Sequence, residues 1–287
     1  MNILISGGSG FIGGYVYRHF KELGYSVKNF DLYSVEGDSD FLKGSILDFE
    51  YVKKIIVENK ITVVFHFAGF SNINKVEASP RDCVDLNILG TTNILEAARL
   101  KGNTAVILAS SVYVHSDYGH LYTTSKVAAE RILKNYSELY NIKSNILRLG
   151  TVYGELSRHE DVISIFAKKI SEKKPISVSG DGLQTRNFIH GIDVAKACEK
   201  ILLKNIFEET LIISSEMPSS ISEIVAYFKD LDSSTKVKFD KLVKRNDDYQ
   251  GDVGDVDNTF RKLHWKPEIE IKEGIKRLYE FYQSSSE

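Results

Sequence analysis

Two polar side chains four residues apart, Tyr122 and Lys126, are well suited to acid–base chemistry. The pattern around them predicts a helix over Tyr122–Tyr140, and at this spacing both side chains point from one helix face. A lysine ammonium beside a phenol favours the phenolate, so we expect Lys126 to lower the pKa of Tyr122 from its reference of about 10. Such a tyrosine can take a proton from an alcohol or return it.

Two serine hydroxyls, those of Ser110 and Ser111, follow the predicted strand Ala105–Leu108. Open α/β sheets bind ligands in the crevice at the carboxyl ends of their strands, so a hydroxyl there can hydrogen-bond a substrate alcohol. Tyr17 and Lys21 have the same four-residue spacing but no such partner, and we interpret them as one packed and one solvated side chain. The serines therefore mark Tyr122 and Lys126 as the candidate catalytic pair.

A glycine-rich segment, Gly7 to Gly13, joins the apolar run Ile3–Ile5 to a predicted helix, Phe11–Leu23. Gly7 and Gly10 permit a tight turn and a close approach of the backbone to a pyrophosphate, and Gly13 lets the helix pack on the strand. The helix N-terminus offers unpaired N–H groups to the anion. The order of strand, turn and helix predicts a dinucleotide-phosphate loop.

An acidic residue, Asp31, ends the second predicted strand, Val27–Phe30. It follows the glycine loop by about 20 residues, the offset at which a carboxylate meets the adenosine ribose of a dinucleotide. The next residues, Leu32 to Ser34, include no Arg or Lys to neutralise the 2′-phosphate of NADP. The sequence therefore predicts NAD as the cofactor.

The composition narrows the class of protein. The chain has 287 residues, 43% of them hydrophobic, and a net charge of −2, which is typical of a globular protein without an electrostatic footprint for nucleic acid or anionic membranes. It contains no run of about 20 apolar residues and begins directly with a predicted strand, so we expect no membrane span, no secretory leader and a cytoplasmic location. Cys83 and Cys198 lack metal-ligand spacing, and we predict reduced structural cysteines and no metal site.

Strand-like and helix-like patterns alternate from residue 2 to about residue 150. This alternation indicates a parallel sheet with crossover helices, and the continuous apolar strands indicate a sheet covered on both faces. We predict an α/β, doubly wound Rossmann fold. Its predicted elements are strands Ile3–Ile5, Val27–Phe30, Val63–Phe65, Ala105–Leu108 and Ile146–Leu147, with helices Phe11–Leu23, Pro80–Leu100 and Tyr122–Tyr140.

The alternation loosens after Gly154, which indicates a second, smaller domain. We predict an NAD-binding domain over residues 1–155, rejoined by residues 187–214, and a C-terminal α/β substrate-binding domain over residues 156–186 and 215–287. The predicted elements of the second domain are helices Asp161–Ser171, Ile221–Phe228 and Lys272–Tyr282 and strand Pro175–Val178. Helix Asp193–Leu203 and strand Leu211–Ile213 are predicted to return to the first domain.

These motifs and their order resemble the extended short-chain dehydrogenase/reductase family, in its NAD-dependent epimerase/dehydratase branch acting on nucleotide sugars. The resemblance covers nearly the whole chain. Besides the glycine loop and Tyr122–Lys126, it rests on five further segments: Phe67–Gly69, Asn87–Thr91, Leu147–Gly154, Gly180–Arg186 and Leu263–Pro267.

The resemblance implies a role for each matching residue. Tyr122 would be the acid/base, Lys126 would hold the nicotinamide ribose, and Ser111 would orient the reacting hydroxyl. Arg186 matches the diphosphate-binding arginine and, with Ser111 and Thr151, would bind the substrate. The implied cofactor-binding residues are Gly7, Gly10, Phe11, Ile12, Gly13, Asp31, Ser45, Ile46, Phe67, Ala68, Gly69, Asn87, Tyr122 and Lys126.

Several positions depart from the family pattern. Ser45 stands where an aspartate is usual, Thr151 stands where many members have asparagine, and the segment between Ser111 and Tyr122 is short. Val112 and Tyr113 replace the Asp-Glu pair of the 4,6-dehydratases, which disfavours dehydration. Of the two nearby histidines, we interpret His66 as structural and give His115, in the short segment, no catalytic role.

The function that this resemblance implies is NAD-dependent epimerisation at C4 of a nucleotide-activated sugar through a transient 4-keto intermediate. Two alternatives remain: a 4-ketoreductase or dehydrogenase using the same residues, and a non-catalytic dinucleotide-binding sensor. We also expect a homodimer formed through helices Pro80–Leu100 and Tyr122–Tyr140, with Leu89, Ile132 and Leu133 on the exposed faces.

Overall fold

A seven-stranded parallel sheet forms the centre of the molecule. The computed structural model describes residues 1–34, 37–71, 76–115, 120–157, 161–240 and 253–284. The strands of this sheet are β1 (Asn2–Ser6), β2 (Ser26–Asp31), β3 (Phe41–Lys43), β4 (Val63–His66), β5 (Ala105–Ser111), β6 (Ser144–Leu149) and β11 (Glu209–Ile213). Their order is β11-β6-β5-β4-β1-β2-β3, with every neighbouring pair parallel, which confirms the predicted doubly wound α/β fold.

Helices cover both faces of this sheet. They are α1 (Phe11–Glu22), α2 (Phe49–Glu58), α3 (Pro80–Val84), α4 (Gly90–Lys101), α5 (Leu121–Tyr140) and α7 (Gly191–Lys204). Successive strand residues point to opposite faces, so Ile3 and Ile5 pack into the core under α1 and α7, while Leu4 packs into the core under α2, α4 and α5. Both faces of the central sheet are therefore buried under helices, as the continuous apolar strands predict.

Some boundaries differ from those predicted. The predicted helix Pro80–Leu100 is interrupted by a π-helical turn, Asp85–Leu89, between α3 and α4. Strand β5 continues to Ser111 instead of ending at Leu108, because the two serines still pair with β6. Strand β3 and helix α2 were not predicted from the sequence; β3 has only three residues, too few for a hydrophobic period.

The smaller C-terminal part has a core of its own. It contains α6 (Val162–Ser171), α8 (Ile221–Leu231), α10 (Ile271–Ser284) and the parallel strands β8 (Ile176–Ser179) and β13 (Val237–Asp240). The junction is formed by the pairs β7 (Thr151–Tyr153) with β10 (Phe188–His190), and β9 (Thr185–Arg186) with β12 (Ser219–Ser220). The helix α9 (Val256–Leu263) lies against β11.

The chain returns from this part to the central sheet. Strand β11 pairs with β6, and α7 packs against α1. Residues 187–214 thus return to the central sheet, which fits the expectation that they rejoin the first domain. The division into two domains stays a prediction. None of the described helices combines the length and apolar character needed to span a bilayer.

Candidate active site

The glycine loop lies between β1 and α1 and forms a tight backbone cradle. Gly7 has a positive φ of 80°, and a Cβ atom there would lie 2.6 Å from the Ala68 backbone nitrogen. A Cβ atom on Gly13 would lie 2.1 Å from the Gly7 carbonyl oxygen. The first residue before α1, Gly10, gives no side-chain cap, so the helix N–H groups face a ligand freely. The loop therefore fits the diphosphate of a dinucleotide.

The carboxylate of Asp31 is held at the end of β2 by two backbone groups. Ser9 N donates to its Oδ2 atom at 3.1 Å, and Tyr33 N donates to its Oδ1 atom at 3.2 Å. Both contacts orient the carboxylate beside the glycine loop, where the adenosine ribose of NAD would lie. A 2′-phosphate at the same place would meet this negative charge.

Replacing Asp31 with alanine should weaken NAD binding far more than NADP binding, because only NAD offers a free 2′-hydroxyl to the carboxylate. Loss of a hydrogen bond to a charged group predicts a fall in NAD affinity of about tenfold or more. Titration of both dinucleotides against the wild-type and variant proteins measures the effect. Equal losses for NAD and NADP would show that Asp31 does not bind the ribose.

One cavity of about 490 Å³ runs along the carboxyl ends of the central strands. It brings together residues of β2, β5, β6 and β7 with the segments that follow β1, β3 and β4, at the edge where parallel sheets bind ligands. The predicted site residues on its wall are Gly7, Gly10, Phe11, Ile12, Gly13, Asp31, Ser45, Ile46, Phe67, Ala68, Gly69, Ser111, Tyr122, Lys126 and Thr151. Two predicted residues, Asn87 and Arg186, are not on the wall.

Asn87 is buried in the π-helical turn, behind the cavity wall. Its side chain accepts from Phe70 N at 2.8 Å and donates to Phe70 O at 3.1 Å and Ser125 Oγ at 2.9 Å. Through these contacts Asn87 ties the segment after β4 to α5, the helix that carries Tyr122. Its role in binding the cofactor stays a prediction.

Arg186 lies in β9, at the edge of the smaller part, and its Nη1 atom donates to the Thr185 carbonyl at 2.8 Å. The side chain is half-buried and does not reach the cavity wall. Its role in binding the diphosphate stays a prediction.

Tyr122 lies in the first turn of α5 with 8% of its surface exposed. Burial raises the pKa of Tyr122 to about 12, and a hydrogen bond with Ser111 opposes this shift only in part. The expectation that Lys126 lowers this pKa is therefore wrong for the arrangement in the structure, because burial dominates. Tyr122 is held in its protonated form, which is the form that gives a proton to a ketone oxygen.

Lys126 lies one turn after Tyr122, with its Nζ atom donating to the Ala109 carbonyl at 3.1 Å. Burial lowers the pKa of Lys126 to about 8. The ammonium is thereby fixed between β5 and α5, beside Gly69, where it can donate to a bound ribose.

The two adjacent serines have different partners. Ser110 Oγ donates to Glu130 Oε1 at 2.6 Å, whereas Ser111 faces Tyr122. Arg148 completes the first group by donating from Nε and Nη2 to the two Glu130 oxygens at 3.0 and 2.7 Å. Ser110 thus belongs to a structural hydrogen-bond network, whereas the substrate contact of Ser111 stays a prediction. The roles of Glu130 and Arg148 were not predicted from the sequence. A signal existed for Glu130, which lies two turns after Tyr122 on the same helix face.

Both nearby histidines lie away from the cavity wall. His66 is buried, and its two ring nitrogens contact Ser6 Oγ at 2.6 Å and Thr91 Oγ1 at 3.1 Å. Burial lowers the pKa of His66 to about 3, so the ring is neutral and structural, as interpreted from the sequence. His115 lies in a 3₁₀ turn, 3.2 Å from Arg148 Nη1.

A cluster that the sequence does not indicate joins α1 to the junction, since Glu155 follows β7 and His190 ends β10. Tyr15 donates to Glu155 Oε2 at 2.5 Å and accepts from Leu156 N at 3.2 Å, and His190 Nε2 lies 3.3 Å from the same Glu155 oxygen. Gly191 accommodates the Tyr15 ring, since a Cβ atom there would lie 2.2 Å from it. We call these three residues, Tyr15, Glu155 and His190, the Glu155 cluster.

Partial burial would raise the pKa of Glu155, but hydrogen bonds from His190 and Tyr15 outweigh it and hold this pKa at about 2. The folded-state pKa lies below the ordinary value of 4.5. The stability that the carboxylate contributes is therefore complete above pH 4.5 and is lost as the pH falls towards 2.

Replacing Glu155 with glutamine should lower the free energy of unfolding at pH 7 by about 1–3 kcal/mol, because the charged acceptor is lost. The difference from wild type should shrink between pH 4.5 and pH 2, where Glu155 takes up its proton. Urea unfolding across this range measures both effects. Glu273→Gln is the control, since Glu273 forms only an exposed pair with Arg277. Equal, pH-independent losses in both variants would contradict the prediction.

Comparison with known proteins gives independent support. The model of the NAD dependent epimerase/dehydratase family matches residues 3–211. A Methanocaldococcus jannaschii protein, provisionally named UDP-glucose 4-epimerase, is 31% identical over 99% of both chains. UDP-glucuronate 4-epimerase of Thermodesulfobacterium geofontis is 30% identical over 91% of this chain and 81% of that protein. The crystal structure of UDP-glucose 4-epimerase from Thermotoga maritima with UDP-glucose matches with a TM-score of 0.91, covering 100% of both chains at 23% identity.

The family model spans well over half of the chain. In this chain the glycine loop, Asp31 and Tyr122 line the wall of one cavity. The predicted NAD cofactor is confirmed by the family. The chain belongs to the NAD-dependent epimerase/dehydratase family and is a nucleotide-sugar enzyme of the extended short-chain dehydrogenase/reductase type.

Proposed function

We propose that this protein is an NAD-dependent epimerase acting at C4 of a nucleotide-activated sugar through a transient 4-keto intermediate. The observation that carries the proposal is that Tyr122, hydrogen-bonded to Ser111, shares one cavity with the glycine loop and Asp31. The relatives named above are 4-epimerases of UDP-sugars, which supports the same reaction class here.

The chain's own residues divide the work. Ser111 holds the sugar hydroxyl against Tyr122; the ionised form of Tyr122 takes the hydroxyl proton, and the protonated form that results returns a proton to the ketone oxygen. Lys126 holds the ribose of the cofactor next to Tyr122. NAD, when bound, supplies the hydride chemistry at C4. If the keto sugar rotates within the cavity before reduction, the hydride returns to the opposite face of C4 and the product is the C4 epimer.

Two observations bear on the alternatives. The raised pKa of Tyr122 suits the return of a proton to a ketone oxygen, a step that a 4-ketoreductase and a 4-epimerase share. Asp31 favours epimerisation, since an enzyme that recycles its cofactor suits NAD, whereas net biosynthetic reductases more often use NADPH. Dehydration is disfavoured, because Val112 and Tyr113 supply no carboxyl group beside Ser111. The intact set of Ser111, Tyr122 and Lys126 argues against a sensor without turnover.

The deciding experiment is incubation of the purified enzyme with candidate nucleotide sugars and no added cofactor, with sugar stereochemistry followed by NMR. Sustained interconversion of C4 epimers supports the proposal. Turnover that needs stoichiometric NADH and stops at one reduced product would replace it with the ketoreductase.

We further propose that the protein is a homodimer with an isologous interface through α4 and α5. Leu133 cannot contribute as expected, because it is 2% exposed and packs in the core with Ile132 against it. Leu89 remains available at 48% exposure. Leu89→Asp should therefore shift the mass in solution towards the monomer, as measured by analytical ultracentrifugation at micromolar concentration. Leu203→Asp, at the exposed end of α7, is the control. A monomeric wild-type protein would contradict the proposal.

A further inference from the structure

One buried amide, that of Asn29, lies in the middle of β2 on the face that packs against α1. Asn29 is 0% exposed, and Val27, two residues earlier on the same face, packs in the apolar core under α1. Burying an amide costs free energy unless its hydrogen-bonding groups find partners. The partners of this polar side chain in an otherwise apolar face therefore indicate its role.

The N–H groups of this amide join two loops. Asn29 Nδ2 donates to Ser9 Oγ at 3.1 Å and to Asp38 Oδ2 at 3.0 Å. Ser9 belongs to the glycine loop, and Asp38 lies between β2 and β3. The amide also fills the space beside the glycine loop, since a Cβ atom on Gly8 would lie 2.5 Å from Asn29 Oδ1. Asn29 thus fixes the glycine loop against Asp38.

Asp38 is itself held by two donors. Tyr17 donates to its Oδ1 atom from α1, and Asp40 N donates to the same atom at 3.1 Å. Burial, and then the hydrogen bond to Asp38, raise the pKa of Tyr17, so the phenol stays protonated as a donor. Tyr17, which the sequence indicates only as a packed side chain, therefore has a polar partner. Hydrogen bonds to a carboxylate are stronger than those to a neutral acceptor, so Asp38 holds the Asn29 amide firmly.

This series of contacts ends at Asp31, the residue predicted to distinguish NAD from NADP. Ser9 N donates to Asp31 Oδ2 at 3.1 Å, so the position of Ser9 sets the orientation of the Asp31 carboxylate. Asp38 is linked to Asp31 through Asn29 and Ser9, and it does not line the catalytic cavity itself. Loss of the Asp38 carboxylate would free the Asn29 amide and Ser9, and the Asp31 carboxylate could then turn away from the ribose.

We propose that Asp38 is a positioning residue for cofactor specificity: through Asn29 and Ser9 it holds the Asp31 carboxylate towards the ribose hydroxyls of NAD and against a 2′-phosphate. Asp38 acts on the cofactor only through Asp31. Because Asp38 is assigned to dinucleotide binding alone, its role is independent of the sugar substrate and of the reaction at C4.

The test measures the NAD and NADP affinities of Asp38→Ala and Tyr17→Phe by calorimetry. In Asp38→Ala the ratio of NAD affinity to NADP affinity should fall by about threefold to tenfold, the range expected for loss of one hydrogen bond. Tyr17→Phe keeps the packing of a ring that is 8% exposed and removes the hydroxyl that holds Asp38, so the ratio should fall by a smaller factor. An unchanged ratio in a folded Asp38→Ala protein would overturn the proposal; if this variant does not fold, an unchanged ratio in Tyr17→Phe would do so.

Asp40→Asn is the matched control. Asp40 carries the same charge close to Asp38, but its side chain pairs with Lys21 and Lys28 instead of Asn29. Its ratio of NAD to NADP affinity should stay within about twofold of wild type, since such partly exposed ion pairs contribute little. An equal fall in Asp38→Ala and Asp40→Asn would show that the general negative charge, and not the contact with Asn29, sets the specificity, which would contradict the proposal.

A double variant separates positioning from support of the fold. Asp31→Ala removes the group through which Asp38 is proposed to act, so adding Asp38→Ala to it should leave the ratio of NAD to NADP affinity unchanged. A further fall as large as that in the single variant would mean that Asp38 acts by another route, and the proposal would be wrong. Thermal unfolding establishes that each protein is folded during the titration. Because dinucleotide binding needs no turnover, the result holds whether the enzyme is an epimerase or a ketoreductase.

Discussion

Replacing Tyr122 with phenylalanine is expected to lower turnover by about 10²–10⁴-fold, the usual effect of removing a catalytic acid or base. The phenylalanine ring keeps the packing of a side chain that is 8% exposed and removes only the hydroxyl that contacts Ser111. NAD binding should stay close to wild type, because the glycine loop and Asp31 are untouched. The measurement is kcat with the preferred nucleotide sugar, together with NAD content.

The matched control is Tyr136→Phe on the same helix, where the lost hydroxyl donates to Glu96 Oε2 at 3.3 Å. This variant should retain turnover. Activity near the wild-type level in Tyr122→Phe would overturn the catalytic assignment, and equal losses in both variants would show that the effect comes from the helix rather than from the proton.

Replacing Gly13 with alanine is expected to abolish tight NAD binding. The new Cβ atom would lie 2.1 Å from the Gly7 carbonyl oxygen, so the backbone of the phosphate cradle must move. Overpacking of this kind costs about 1–3 kcal/mol or more, and here the cost falls on the binding loop. NAD affinity should therefore fall by about tenfold or more.

Gly14→Ala is the control in the next position of α1. Its Cβ atom would lie 3.5 Å from Leu156 Cδ1, which is ordinary contact, and alanine favours the helix. Calorimetric titration of NAD against both variants, with thermal unfolding in parallel, separates loop distortion from loss of the fold. Equal NAD affinity in the two variants would contradict the prediction.

Much of the fold follows from local pattern. Short apolar runs that alternate with helical patterns predict β1, β2, β4, β5 and β6 as strands of a parallel sheet, and all five lie in the central sheet. The end of β5 was not predicted, because Ser110 and Ser111 look polar in sequence and are kept in the strand by pairing with β6. The π-helical turn was also missed, since it keeps the helical hydrophobic pattern while changing the backbone hydrogen bonds.

The candidate site divides in the same way. The glycine loop, Asp31, Ser111 and Tyr122 meet because the carboxyl ends of parallel strands share one edge of the sheet, which the sequence predicts. The pKa of Tyr122 depends on how deeply α5 is buried, which spacing alone does not reveal. The Glu155 cluster joins residues about 140 positions apart, and no local pattern indicates such a contact.

The pairing of β6 with β11 has a consequence for synthesis. Asn145 and Glu209, which pair at the start of these strands, are separated by 64 positions in the chain. A ribosome therefore releases β6 well before β11, with α6, β8 and β10 in between. During that interval β6 is an edge strand, and α1 lacks the cover of α7. We therefore expect the nascent chain to be most prone to aggregation before residue 213 has emerged.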